Sequence, residues 1–354
     1  MVMTWLLFLV PISLLLAYWV HPGPLWIFLT GAVAIIPLAD WIRRATDSLS
    51  SRTGSSIGGL LNVTFGSIAE LTLALFVLSA GHPSTVKAQI TGSMIGTSLL
   101  GLGLAALVGG WKRDKQTFRQ DRAELLGSLL ILVVIALLVP AFFDLTERHQ
   151  TTHGHLASLD EKLSLSVSII LILVYLANLV FTLITNRDVF SSGESRQETS
   201  WSLGKAIGIL LGATVLIAVE SNLISGTLQG TATRLGLTPL FLGITVLALI
   251  GNAAEILSAI YFARQDKIGL AVKLCVGSTV QTALLIAPAL VLISYFMGHP
   301  MNLVFTHPLE LVAIVGTVFA VNSIAADADT TWFEGALLVA TYCLFALAFF
   351  FVKT

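Results

Sequence analysis

"ALIGNAAEILSA", residues 248–259, is apolar at both ends and carries Asn252 and Glu255 at its middle. A carboxylate at the centre of a membrane-spanning helix costs about 2.5 to 3.5 kcal/mol on insertion scales, so it persists only where partners or water receive it. "VTFGSIAELTLA", residues 63–74, repeats the arrangement and places Glu70 where Glu255 stands. Two such stretches in one chain point to a membrane protein with a purpose for buried acids.

Composition agrees. Over 354 residues, 56% are hydrophobic and 11% charged, with a mean hydropathy of +0.90. Soluble domains carry roughly 25% charged residues, so lipid is the main solvent here. Backbone polar groups in lipid must be satisfied within the segment, which predicts an all-α integral membrane protein. The net charge of −1, with no basic stretch interleaved with aromatics, excludes a nucleic-acid partner. Cys275 and Cys343 lie in apolar stretches without metal-ligand spacing and read as small hydrophobes. The expected partner is the bilayer; the sequence is equally compatible with a monomer and a homo-oligomer.

Spanning the hydrocarbon takes about 20 apolar residues. On that criterion eleven segments stand out: 2–20, 25–42, 57–80, 88–110, 124–143, 163–185, 203–224, 238–263, 269–297, 308–325 and 333–352. The first lacks the basic start and small-residue cleavage site of a signal peptide, so it is read as a spanning helix. Of the nineteen Lys and Arg, fourteen fall in one alternate set of loops; only Lys87, Arg148, Lys162, Arg234 and Lys353 fall in the other. The positive-inside rule then puts the N-terminus in the cytoplasm and the C-terminus opposite; in a prokaryotic cell the membrane would be the inner one.

At an offset of 185 residues, Gly66, Ala69, Glu70 and Ala74 meet Gly251, Ala254, Glu255 and Ala259. Gly92, Ser93, Thr97, Leu99 and Leu100 likewise meet Gly277, Ser278, Thr282, Leu284 and Leu285. Such spacing reads as internal duplication. The expected plan is an extra N-terminal helix (1–24), a five-helix repeat (25–185), a connecting loop (186–202) and a second five-helix repeat (203–354). Five is odd, so the repeats are inverted, which is a transporter architecture.

Gly66 with Ser67, and Gly251 with Asn252, weaken each helix just before its Glu. The polar stretches "TGSMIGTSLL" (91–100) and "VGSTVQTALL" (276–285) add further oxygen donors. Absence of His and Cys from these motifs favours an oxygen-preferring cation such as Ca2+ over zinc or copper. Carboxylates in a low dielectric also bind protons, so cation and H+ compete for the same oxygens. Asp40 and Glu220, closing the apolar runs "IIPLAD" and "LIAVE", are candidate cavity-mouth acids that guide cations.

"GGLLNVTFGSIAEL" (58–71), "IGNAAEI" (250–256), "GSTVQTALLIAPALVL" (277–292) and "DTTWFEGALLVATY" (329–342) together resemble the Ca2+/H+ antiporter family of the calcium/cation antiporter superfamily. The resemblance covers nearly the whole chain. It implies a secondary transporter, not an enzyme, that exports cytosolic Ca2+ for H+ by alternating access and holds no permanent cofactor. Glu70 and Glu255 would bind cation and protons, with Asn252, Ser278 and Gln281 as supporting groups and Ser93 the repeat equivalent of Ser278. Ser67 stands where the family looks like Asn, offering a shorter-reaching oxygen. The rivals are a Na+-coupled or broad-specificity divalent cation exchanger, an intramembrane acid/base enzyme, and a channel.

Overall fold

The computed structural model describes residues 5–53, 60–61, 64–147, 153–185, 201–305, 307–325 and 327–352. The seam expected at 186–202 therefore lies almost wholly outside the described residues. Helices dominate: α1 Leu6–Val20, α2 Pro24–Thr53, α3 Ile68–Ser79, α4 Pro83–Gly110, α5 Gln120–Glu147, and α6 from His153 to Thr185. They continue as α7 Leu203–Leu235, α8 Pro239–Gly251, α9 Ala253–Arg264, α10 Ile268–Phe296, α11 Pro308–Ala325 and α12 Trp332–Phe351. Seven are long and apolar enough to cross a membrane; α8 and α9 form a bent pair, and α1, α3 and α11 are shorter apolar helices. Each of the eleven expected segments overlaps one of these elements.

The chain divides into two compact units: Met1–Ala80 with Leu173–Gly236, and Gly81–Ile172 with Leu237–Thr354. In the first unit α2 and α7 run antiparallel over their length. A Cβ on Gly230 would meet Pro24, one on Gly31 would meet Glu220, and Arg52 donates to the Trp201 carbonyl. Both helices outrun the apolar stretches that announced them. The expected ends at 42 and 224 are corrected to Thr53 and Leu235. Ion pairs of Arg43 with Asp40 and Asp47, and of Arg44 with Asp40, carry α2 onward at i,i+3 and i,i+4 spacing. Gly236, at φ 66°, ends α7 in the left-handed conformation that glycine adopts without strain.

In the second unit α4 crosses α8 with backbones almost touching. A Cβ on Gly92 would collide with the Ile244 carbonyl, and one on Gly243 would stand 2.8 Å from the Thr85 carbonyl. The inner helices α4 and α10 bury 83% and 67% of their spans, against 33% for α5 and 22% for α12, which face lipid. Ile131, Ile135, Val139 and Phe142 form one exposed apolar stripe of α5, whereas Thr91, Ser93, Thr97 and Ser98 of α4 are buried. This polarity, apolar outside and hydroxyl-bearing inside, suits a protein dissolved in hydrocarbon.

Loops gather at the two ends of this unit as odd-even crossing requires. At one end β1 (Gln116–Thr117) pairs antiparallel with β2 (Asp329–Thr330), Lys115 bonds Asp329 at 2.7 Å, and Arg113 pairs with Asp266 at 3.4 Å. The side-chain hydrogen bond from Lys115 to Asp329, reinforced by their attraction, holds that ammonium above its ordinary pKa. At the other end Lys87 Nζ donates to Asn302 Oδ1 and to the Val304 carbonyl, and Leu303 N–H to Ser164 Oγ.

Candidate ion site

Asn252 separates α8 from α9 at φ −108° and ψ 8°, and the two helices diverge by 57°. The local cause is chemical: an Asn side chain offers the backbone a competing partner, and the preceding Gly251 does little to hold the helix. Asn252 Nδ2 donates to the Ala248 carbonyl at 2.8 Å, the same oxygen that takes its own N–H. Nδ2 also donates to Ser93 Oγ at 2.8 Å, and Oδ1 accepts from Ser278 Oγ at 3.5 Å. One amide, 1% exposed, thus links α4, the α8–α9 break and α10. Glu255 follows in the first turn of α9, 8% exposed, where the positive end of the helix favours a carboxylate.

Behind this layer lies a second one. Thr97 Oγ1 donates to the Ser93 carbonyl at 2.7 Å and stands 2.8 Å from Thr279 Oγ1, which is 2.6 Å from Ser98 Oγ. Sequence reasoning named Thr97 only as a repeat match and did not single out Ser98 or Thr279; the signal was the hydroxyl-rich pattern of the two stretches that hold them. Each stretch runs into a π-helical turn, Gly96–Gly101 in α4 and Thr282–Ile286 in α10. Such turns are frequent at functional sites. Gln281, half-buried, precedes the second.

In the first unit Ser67, at φ −104° and ψ 23°, opens α3, and Glu70 sits in its first turn, 1% exposed. The α3 helix packs on α7 and α2. Asp40 is buried mid-helix, its Oδ1 hydrogen-bonded by Arg43 Nη2 at 3.0 Å and its Oδ2 in an ion pair with Arg44 Nε at 2.7 Å. Glu220 is buried mid-helix in α7 against Ser13 of α1. Thus Ser93, Asn252 and Ser278 come together, with Glu255 one turn beyond, while Ser67 and Glu70 make an analogous break in the other unit. Among the described residues no group of three His, Cys, Asp or Glu is placed to hold a metal.

Residues 23–184 and 205–351 match the family described as sodium/calcium exchanger protein. The Ca(2+)/H(+) antiporter of Aphanothece halophytica is 41% identical over 362 residues, covering 98% of this chain and 95% of that protein. The Ca(2+)/H(+) antiporter ChaA of Bacillus subtilis (strain 168) is also 41% identical, over 330 residues and 92% of each chain. Among solved structures, native YfkE superposes with a TM-score of 0.83 at 37% identity over 97% of both chains. The H+/Ca2+ exchanger CAX, at 16% identity, shares the fold with a TM-score of 0.69 over 98% of this chain and 91% of that one.

Proposed function

This chain belongs to the sodium/calcium exchanger protein family, and on that premise we propose that it is a secondary antiporter exchanging Ca2+ for H+. It is a multi-pass integral membrane protein, and its relatives are named as antiporters, which favours transport over the intramembrane enzyme. The observation that carries the chemistry is Glu255, a carboxylate kept buried at the first turn of a helix that begins at a break inside an apolar span. Glu70 repeats that placement in the other unit.

In this reading Glu70 and Glu255 take Ca2+ and H+ alternately. Two carboxylates with Ca2+, or two carboxylic acids without it, are neutral alike, so neither loaded form leaves net charge in the low dielectric. Asn252, held by Ser93 and Ser278, sets the break that aims Glu255; Ser67 does so for Glu70, and Gln281 adds polar support. The five-helix repeats and alternating access belong to the same proposal, supported by matching breaks and π-helical turns about 185 residues apart. The end of the second unit that holds Lys112, Arg113, Lys115, Arg264 and Lys267 faces the cytoplasm, so the direction is Ca2+ export across an inner membrane.

The test is 45Ca uptake into proteoliposomes under an imposed pH gradient without Na+. Uptake that follows the proton gradient and disappears in Glu70→Gln and Glu255→Gln supports the reading. Uptake that begins only when Na+ is supplied favours the sodium-coupled rival.

A further inference from the structure

Glu220 lies at 0% exposure in the first unit, on a face of α7 covered by α1 and α2, and the exchange reading has no use for it. Its Oε1 is 2.5 Å from Ser13 Oγ, within the O–H···O range whichever oxygen donates. Ser13 Oγ is also 2.8 Å from the Val10 carbonyl, the i−3 bond by which a helical serine satisfies itself. A serine hydroxyl has one hydrogen, and a carbonyl can only accept. If that hydrogen goes to Val10, the hydrogen between Ser13 and Glu220 must come from the carboxyl.

The other carboxyl oxygen points the same way. Among the described residues Oε2 has no hydrogen-bond partner, and it rests against Gly31, where a Cβ would stand 3.0 Å from it, with Ile224 alongside. A charged oxygen without a donor is far costlier in such surroundings than a neutral carbonyl oxygen. No cation faces it. On α2 the charged groups Asp40, Arg43, Arg44, Asp47 and Arg52 begin nine residues beyond Gly31, roughly 13 Å along the helix. On α7 itself Lys205 and Arg234 are at least fourteen residues away, roughly 21 Å. From α3 comes only Glu70, an acid and not a cation, and α1 contributes no charged side chain among its described residues.

We infer that Glu220 is a proton-binding site separate from the two carboxylates of the broken helices: a neutral acid that donates to Ser13 and ties α1 to α7. In this form it carries no charge with which to guide cations. The inference rests on geometry within the first unit and not on the exchange reading.

Infrared difference spectroscopy of the full chain in lipid vesicles at pH 7 tests it directly, comparing wild type with Glu220→Gln and Ser13→Ala. A carboxylic-acid C=O band that is absent from Glu220→Gln and shifted in Ser13→Ala is the expected result. Identical carboxylic-acid bands in wild type and Glu220→Gln would overturn it; Ser13→Ala provides an independent arm should the Gln variant fold poorly, and an unshifted band there also counts against it. Glutamine can donate to Ser13 in place of the acid, so Ca2+ uptake by Glu220→Gln should stay within about twofold of wild type across pH, whereas Glu220→Ala should lose it. A loss in Glu220→Gln equal to that in Glu220→Ala would show that the neutral form is not the working form.

Discussion

The breaks at Ser67 and at Asn252 have almost the same backbone, −104° and 23° against −108° and 8°, and each puts a Glu into the first turn of the next helix. Their braces differ. Asn252 reaches Ser93, Ser278 and the Ala248 carbonyl through one amide, whereas Ser67 brings a single short hydroxyl to the same place. A Glu follows both breaks but the amide brace stands at only one, so the carboxylates should matter equally and their supports unequally.

Removing the charges is the largest test. Glu70→Gln and Glu255→Gln should each lower proton-driven 45Ca uptake by about 100-fold or more, the equivalent of about 2.8 kcal/mol; a much smaller loss in one would break the symmetry. Gly92→Ala, which drives a methyl into the Ile244 carbonyl, should cost up to about 3 kcal/mol of stability. Gly208→Ala in the first unit has open space and should be nearly neutral, and thermal unfolding in detergent compares the two. Next come the supports: Asn252→Ser should cut uptake about tenfold by leaving buried groups unpaired, while Ser67→Asn should change it no more than about threefold. Equal effects would mean that the braces are equivalent after all.

The smallest effect concerns the exposed pair of Lys115 and Asp329. Because the pair raises the lysine pKa in the folded state, its contribution is fully present below the ordinary Lys range and is lost only as pH rises through the raised value. Lys115→Gln should therefore melt slightly below wild type at neutral pH, by a margin that added salt shrinks, and the two should converge in the alkaline limb of a pH titration as wild type loses the pair.

What the sequence disclosed were the features written in neighbouring residues. Hydropathy located the helices, and Gly-Ser or Gly-Asn before a Glu located the breaks. What it hid depends on distant partners. Lys87 reads as a loop charge because Asn302 and Val304, which bond it, are more than two hundred residues away. The polar extension of α2 falls below any hydropathy threshold, yet Asp40, Arg43, Arg44 and Asp47 sustain it by pairing along the helix. Asp40 and Glu220 look alike in sequence as acids closing apolar runs; one meets two arginines and the other a serine of α1.

The π-helical turns in α4 and α10 act as phase shifters. An α-helix advances about 100° per residue, and a π turn absorbs one extra residue without rotating the rod onward. In α4, Ser93 and Thr97 before and within the turn can thus face the polar interior while Gly103, beyond it, meets Gly335 of α12. Deleting Leu99 would barely alter hydropathy or length. It would nevertheless swing one half of the helix about 100° against the other, so the count of residues is itself a specified quantity there.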